Sequence, residues 1–273
     1  MKNLFNSIDK VYVINLKKDA ARRAHVAKQF KKKQISYEIV DAVSHIDEEV
    51  KKMYRDNNVM PFPPCFRCIN EICNHENNYL APKQVANFLS FNKVFKLIQK
   101  DKVRNAFIFE DDFKFKFFSN LSLKHLETYI EKNKLLQIHQ PLLFRIGSHT
   151  RVNKKYYFKF FLLNKSTFLE NSINMANPCL IVNAEFAKEF LNNFENIYTT
   201  SDNFIHRFLT KKSSVKDFSI YPFPIKQLSY GNKKNYFESS INPINNFSYE
   251  FVSKNKVNSA FEYKKLLNQW LEN

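Results

Sequence analysis

Short apolar runs and amphipathic segments alternate along the N-terminal part of the chain. Residues 11–16 (VYVINL) are a β-rich apolar run of the length expected for a buried strand. Residues 19–33 carry apolar side chains at helical spacing, and Asp19 is in position to cap that helix. Residues 36–43 (SYEIVDAV) have the composition of a second strand. A strand, a helix and a strand this close together predict a βαβ unit, and therefore a parallel sheet.

The alternation continues through the middle of the chain. Helices are predicted over residues 47–57, 82–100, 121–135 and 184–194. Strands are predicted over residues 106–109, 141–147, 156–163 and 178–183. This order of elements predicts an α/β fold in which helices flank a mostly parallel sheet.

The C-terminal part of the chain has a different pattern. Residues 230–258 are rich in Asn and Ser and predict a loop, whereas residues 259–273 have an amphipathic pattern typical of a helix. We therefore predict one domain over residues 1–230 and a tail over residues 231–273, whose terminal helix packs on that domain.

Glycine is nearly absent, which excludes several classes of enzyme. Gly147 and Gly231 are the only glycines among 273 residues. A glycine-rich phosphate loop, a dinucleotide-binding fingerprint and a nucleophile elbow each need several glycines at fixed spacing. The sequence therefore argues against a kinase, a P-loop nucleotidase, a Rossmann-type dehydrogenase and an α/β-hydrolase.

The formal net charge of +17 favours partners that carry negative charge. Nucleic acid, an anionic membrane surface and phosphorylated substrates all fit such a balance. Part of this excess of positive charge reflects a bias in composition, because Lys is abundant in this chain together with the uncharged residues Asn, Phe and Ile. The sequence has no secretory signal pattern and no run of apolar residues long enough to span a membrane. We therefore predict a cytoplasmic protein, and the basic charge allows peripheral contact with an anionic inner membrane.

Three consecutive carboxylates follow one predicted strand. Glu110, Asp111 and Asp112 come directly after the apolar residues 106–109. In open α/β sheets, ligands bind beyond the carboxyl ends of the strands. Because side chains alternate along an extended chain, Glu110 and Asp112 should face one way and Asp111 the other.

Two interpretations of this acidic triplet stay open on the spacing alone. Mn²⁺ or Mg²⁺ takes carboxylate oxygens together with substrate phosphate oxygens, so the triplet is a candidate divalent-ion site. The alternative is a solvated acidic turn that simply ends the strand.

A cysteine-rich loop offers a second set of metal ligands. Cys65, Cys68, Cys73 and His75 provide three thiols and one imidazole, which is a full tetrahedral set for structural zinc. The spacing matches no common zinc module, so free buried thiols and a redox pair are the alternatives.

Several segments, in order, resemble glycosyltransferase family 25. The resemblance rests on VYVINLKKDAARRAHVAKQF, YEIVDAV, QVANFLSFNKVFKLI, AFIFEDDF, SDNFIHRFL and FPIKQLSYGNKKNYFESSI, which together run from about residue 11 to residue 241. Each segment is moderately specific, and the ordered set is much more so. The resemblance implies a GT-A-like fold, a nucleotide-sugar donor and a divalent ion, usually Mn²⁺.

The implied reaction is the transfer of a hexose, galactose or glucose, from a UDP-sugar to a hydroxyl group. The acceptor would be a glycan, a lipo-oligosaccharide or a protein. Carried over by position, Glu110 and Asp112 would hold the metal, and Asp111 would lie with them at the donor diphosphate.

The resemblance also assigns residues outside the triplet. Asn15, Leu16 and Arg22 would line the nucleotide pocket, and Asp41 would lie near the base or ribose. Asp202, together with Asp112, would be catalytic, with Asp202 as the general base. Each assignment has a structural alternative: Arg22 on an exposed helix face, Asp41 in a turn, or Asp202 as a helix cap.

The sequence departs from the family pattern on the helix that precedes the triplet. Ala86 and Asn87 replace a Gly-Cys pair, and Phe91 replaces the histidine after Ser90. A non-catalytic relative is therefore one alternative function. A basic nucleic-acid-binding domain is another alternative. The acidic triplet would have no role in such a domain, so we expect no nucleic-acid partner.

Overall fold

The computed structural model describes residues 2–60, 80–148, 154–172, 176–212, 214–229, 237 and 267–272. The strands are β1 (Lys10–Asn15), β2 (Glu38–Asp41), β3 (Asn105–Glu110), β4 (Phe113–Phe115), β5 (Leu142–Arg145), β6 (Gly147–Ser148), β7 (Thr167–Glu170), β8 (Cys179–Asn183), β9 (Lys216–Tyr221) and β10 (Ile225–Gln227). The helices are α1 (Lys2–Asn6), α2 (Ala20–Lys31), α3 (Glu48–Arg55), α4 (Pro82–Lys100), α5 (Ser119–Lys132), α6 (Lys154–Leu163), α7 (Ala184–Asn192) and α8 (Ser201–Asn203).

Seven strands form the central sheet in the order β2-β1-β3-β8-β5-β9-β7. β1 is parallel to both β2 and β3, and β5 is parallel to β9, whereas β8 and β7 run antiparallel to their neighbours. The predicted α/β fold with a mostly parallel, GT-A-like sheet is therefore confirmed. The carboxyl ends of β1, β2 and β3 meet at one edge, which is where the acidic triplet lies.

Alternating side chains along the strands supply two apolar cores, one on each face of the sheet. Tyr12 and Ile14 of β1 face a core built with α3, α4 and α7, whereas Val11 and Val13 face a core built with α1, α2 and α5. Phenylalanine fills much of both cores. Phe30 of α2, for example, packs its ring against several aromatic neighbours in the second core.

A second, three-stranded sheet lies beside the acidic triplet. Its order is β4-β10-β6, with β10 antiparallel to β4 and parallel to β6. β6 needs a glycine, because a Cβ atom on Gly147 would lie 2.7 Å from Cγ of Pro178. β10 follows β9 in sequence, and its pairing with β4 brings this part of the chain beside the end of β3.

One predicted element is wrong. Residues 156–163 were expected to form a strand, but Lys154–Leu163 is the helix α6. A continuous apolar run has no period that separates a strand from a helix, so the sequence alone could not decide. The helix buries Phe160 against Phe118 and His125 and leaves its other aromatic side chains half-buried or exposed.

Parts of the sequence prediction concern segments outside the described residues. Cys65, Cys68, Cys73 and His75 lie there, as does most of the Asn-rich tail. Residues 267–272 are helical, with Leu267 buried in the first core and Trp270 edge-on to Tyr54 at 5.9 Å. The domain division at residue 230 stays a prediction. Within the described part of the chain, no helix combines the length and the apolar character needed to cross a membrane.

Candidate active site

A pocket opens at the sheet edge where β1, β2 and β3 end. Glu110, Asp111 and Asp112 form one wall of it, and Leu16 and Arg22 approach from β1 and α2. The pocket is therefore built where the parallel strands point their carboxyl ends, as the order of elements predicted.

Asp111 is held by two partners from the N-terminal βα unit. Arg22 donates to its Oδ1 at 2.6 Å, and the Asn15 side-chain amide donates to its Oδ2 at 2.8 Å. Arg22 also pairs with Asp19, which caps α2 by accepting from the Arg22 backbone N–H. Side chains two residues apart on a strand face the same side of the sheet. Phe107 and Phe109 face the second core, so Asp111 also faces that side, where α2 lies.

The Arg22–Asp111 pair is buried, and burial contributes to the pKa shifts of both side chains. Burial lowers the pKa of Arg22, but Asp111, Asp112 and Asp19 together outweigh this and raise it above its ordinary value. Burial raises the pKa of Asp111 more than its pairing with Arg22 lowers it. Each oxygen of Asp111 thus accepts a hydrogen bond from the N-terminal βα unit, and these bonds fix the end of β3 against α2.

Asp112 is buried beside β10 and keeps one free oxygen. The Ser229 hydroxyl donates to its Oδ2, and the Leu228 N–H donates to its backbone carbonyl at 2.8 Å. Its Oδ1 is buried without a hydrogen-bond partner in the part of the chain that the structure describes. An unpartnered buried carboxylate oxygen is costly, which indicates that a donor or a cation belongs there.

Glu110 points to the opposite face from Asp111, towards α4. The Asn87 side-chain amide donates to its Oε1 at 3.4 Å, and the Ser201 hydroxyl donates to Oδ1 of the same Asn87 side chain. Burial, Asp112 and Asp202 raise the pKa of Glu110 well above its ordinary value, the Asn87 hydrogen bond opposes them, and Asp111 adds a smaller rise. Glu110 and Asp112 therefore form a carboxylate pair that a cation would stabilise.

The lining of the pocket also includes basic side chains. His45 and Lys83 line it, and Lys18 lies close to both. Burial lowers the pKa of Lys83, with a further contribution from Lys18. Burial and the two lysines likewise lower the pKa of His45. A ligand in this pocket would thus meet both the carboxylates and the Lys83 ammonium group.

The other residues singled out from the sequence lie around this pocket. Leu16 lines it, and buried Asn15 supports it through Asp111. Asp41 is half exposed at the end of β2 and pairs with Arg23 at 2.9 Å. Asp202 lies inside α8, whose N-cap is Thr200, and its charge acts on Glu110. Neither Asp41 nor Asp202 is among the described residues that line the pocket.

Sequence reasoning missed several residues of the site. Asn87 and Lys83 come from α4, His45 follows β2, and Ser229 follows β10. Two of these residues could have been found from the sequence. Asn87 replaces a residue of the family pattern, and Ser229 lies in a segment that resembles the family. Phe237 adds a cation–π contact, with its ring centroid 5.3 Å from the central carbon of the Arg22 guanidinium, and it lies in the same segment as Ser229.

The carboxylate pair fits a hard divalent ion bound together with a substrate. Glu110 and Asp112 supply oxygen donors, and the free Oδ1 of Asp112 lacks a protein partner. Among the described residues, no three Asp, Glu, His or Cys side chains are grouped to hold a metal ion by themselves. Mg²⁺ and Mn²⁺ sites commonly complete their coordination with water and substrate phosphate, so two carboxylates suffice for that class of site.

Comparison with known proteins identifies one matching family. The model for "Glycosyltransferase family 25 (LPS biosynthesis protein)" matches residues 8–205, which include β1, the acidic triplet and Asp202. No curated protein matches the chain.

Proposed function

Because the chain belongs to glycosyltransferase family 25 and is thus a glycosyltransferase, we propose that it transfers a hexose from a UDP-sugar to an acceptor hydroxyl. The proposal includes dependence on a divalent ion, Mn²⁺ or Mg²⁺, held by Glu110 and Asp112. One observation carries it: the two carboxylates converge at the carboxyl edge of the sheet, and Oδ1 of Asp112 is buried without a partner.

The polarity of the pocket supports a nucleotide-sugar donor. The diphosphate of such a donor would lie close to both the carboxylate pair and the Lys83 ammonium group, with the neutral imidazole of His45 also in the lining. A divalent ion at the carboxylates would neutralise the charge that develops on the leaving diphosphate. Lys83 and His45 would bind the anionic part of the donor directly, and Leu16 would contact the nucleotide.

Support for the pocket comes from residues that need not touch the donor. Arg22 and Asn15 hold Asp111, which keeps the end of β3 fixed relative to α2. Asn87 orients Glu110, and Ser229 orients Asp112. These contacts would hold both carboxylates in place before the donor arrives.

Asp202 is our candidate for the general base. Its charge acts on Glu110, and its neighbour Ser201 donates to Asn87 in the same group of side chains. In the proposed reaction, Asp202 takes the proton of the acceptor hydroxyl as that oxygen attacks the anomeric carbon. Galactose or glucose as the donor sugar, and a glycan, lipo-oligosaccharide or protein as acceptor, are the finer parts of the proposal.

The test measures donor hydrolysis and transfer across a panel of UDP-sugars, with Mn²⁺ and with a chelator. We expect Asp112→Asn to lower the metal-dependent rate by about 100-fold or more, because the carboxylate oxygen without a protein partner is lost. The matched control is Asp56→Asn, which removes an exposed carboxylate paired with Lys52 and should leave the rate unchanged. Thermal shifts with Mn²⁺ and each donor report binding separately from turnover.

Three results would contradict the proposal. Full activity of Asp112→Asn would remove the carboxylate pair from the mechanism. Stabilisation by a UDP-sugar without any turnover would favour the non-catalytic relative. Salt-dependent affinity for nucleic acid, without any response to UDP-sugars, would favour the basic nucleic-acid-binding alternative.

A further inference from the structure

Exposed apolar side chains concentrate on α6 and on the turn that follows β4. Eight large apolar side chains are exposed among the described residues, and five of them lie here, whereas Ile46, Met60 and Phe208 are scattered. We call the five the α6 patch: Phe117, Phe158, Phe161, Leu162 and Leu163. Phe117 is 87% exposed, Phe158 68% and Leu162 65%. A concentration of this kind marks an interaction surface, whereas single exposed apolar residues need no explanation.

Three side chains of the patch form an apolar stripe on the exposed side of α6. Phe158, Phe161 and Leu162 are spaced i, i+3 and i+4 and therefore lie on one side of the helix. Phe161 stacks on Phe117, with ring centroids 5.9 Å apart and ring planes 7° from parallel. This stack joins the helix to the turn after β4.

Contacts on the opposite side of α6 hold the helix on the domain. Phe160 is buried and packs against Phe118, with ring centroids 5.3 Å apart. The Lys116 ammonium donates to the Tyr157 hydroxyl at 3.1 Å. The apolar stripe is thus presented by a helix whose other face is already packed.

The charged side chains in the segments that carry the patch have one sign. Lys154, Lys155, Lys159 and Lys165 are exposed on α6 or just beyond it. The segments 113–126 and 132–169, which include the whole patch, contain no Asp or Glu. An apolar stripe edged by lysines and free of acids complements a surface that is apolar inside and anionic at its rim.

We propose that the α6 patch docks on the surface of an anionic lipid bilayer. The ten-residue helix would lie in the plane of the membrane, with the Phe and Leu side chains at the boundary of the headgroups and acyl chains. The lysines would contact the lipid phosphates, whose negative potential attracts basic residues near the surface. A protein partner would need an apolar groove with an acidic rim, whereas an anionic bilayer presents both features everywhere.

Docking through this patch would hold the pocket near the membrane. Phe117 follows Asp112 by five residues, so at most about 18 Å of extended chain separates them. If the proposed transfer is correct, this position favours an acceptor anchored in lipid. The docking itself does not depend on the proposed transfer, and the test below measures no turnover.

The test is co-sedimentation of the full chain with vesicles of phosphatidylcholine alone or mixed with phosphatidylglycerol. We expect binding to the mixed vesicles and little binding to phosphatidylcholine alone. Phe158→Ser combined with Leu162→Ser should weaken binding at least about tenfold, because it removes apolar contacts while the net charge is unchanged. The matched control is Ile46→Ser combined with Met60→Ser, which removes two exposed apolar side chains elsewhere and should bind as the unmodified protein does.

Two triple variants, one in the patch and one elsewhere, test the role of the lysines by reversing their charge. Lys154→Glu, Lys155→Glu and Lys159→Glu together should abolish binding to the mixed vesicles. The control reverses the same amount of charge at the exposed lysines Lys100, Lys102 and Lys188, and it should retain most of the binding. Circular dichroism and thermal unfolding of each variant confirm that the fold is kept.

Three outcomes would overturn the proposal. One is that the unmodified protein binds neither vesicle. Another is that the Phe158 and Leu162 variant binds the mixed vesicles as tightly as its control does, which would mean that binding is only general electrostatic adsorption. The third is that the protein is a dimer in solution and the same two substitutions make it a monomer, since the patch would then be an interface between two copies of this chain.

Discussion

The three carboxylates at the end of β3 have different environments although they are consecutive in sequence. Asp111 is bound on both oxygens by Arg22 and Asn15, Asp112 keeps one free oxygen, and Glu110 has a long contact with Asn87. Alternation along the strand explains the difference between Glu110 and Asp111, because the first faces α4 and the second faces α2. Glu110 and Asp112 therefore repel each other, and neither forms an ion pair among the described residues as Asp111 does with Arg22.

This repulsion predicts a stabilising substitution at residue 110. Without divalent ions, Glu110→Gln should raise the free energy of unfolding by about 1 kcal/mol, because the neutral amide avoids burial of charge beside Asp112 and Asp202. The measurement is thermal unfolding in a chelating buffer. Glu131→Gln, at an exposed position on α5, is the control and should change little. A lower melting temperature for Glu110→Gln would show that the ionised carboxylate stabilises the fold.

At the scale of elements, a buried ionic network joins β5, β9 and the turn after α8. Phe204–Phe208 is a π-helical turn, and its His206 accepts a hydrogen bond from Arg145 Nε at 2.8 Å. Arg145 also donates to Asp217, and both side chains are almost fully buried. Burial and the charge of Arg145 lower the pKa of His206 well below its ordinary value, so the imidazole is neutral. His206 can then donate through Nε2 to the Ala176 carbonyl oxygen.

The network predicts a large loss of stability when the Asp217 carboxylate is removed. Asp217→Ala should lower the free energy of unfolding by roughly 3–5 kcal/mol, because it leaves the buried Arg145 guanidinium without an opposite charge. Urea denaturation measures this change. Lys216→Ala, at the exposed position beside it on β9, should stay within about 0.5 kcal/mol of the unmodified protein. A small effect at residue 217 would mean that water reaches Arg145.

For the whole molecule, the dominant feature outside the site is the net charge of +17. Repulsion among the like charges of a protein with this net charge destabilises its compact state. The acidic triplet is thus a local concentration of negative charge in a strongly basic protein, and the α6 patch lies in segments that contain no Asp or Glu. Long-range attraction of anionic ligands and surfaces follows from the same imbalance.

Added salt should therefore stabilise the protein. Raising NaCl from about 0.01 M to about 0.15 M shortens the screening length from roughly 30 Å to roughly 8 Å. We expect the melting temperature to rise by roughly 2–4 °C, which corresponds to about 1 kcal/mol for a domain of this size. The variant with glutamate at residues 100, 102 and 188 should show a smaller rise. A melting temperature that falls with salt would indicate that stabilising ion pairs outweigh the repulsion.

The sequence by itself determined the properties that depend on local periodicity. Alternating strand and helix patterns predicted the α/β fold, and the order of elements placed Glu110, Asp111 and Asp112 at the ligand-binding edge of the sheet. These predictions succeed because hydrophobic spacing and strand ends are encoded within a few residues. The continuous apolar run at 156–163 has no such period, and there the prediction of a strand was wrong.

Only the tertiary structure decided which carboxylates are free to bind a ligand. Asp111 is bound by Arg22, 89 residues away, and Asp112 by Ser229, 117 residues away. The parallel pairing of β1 with β3 and the return of β10 to β4 bring these residues together. Contacts at such separations depend on strand order and register, which no local pattern specifies.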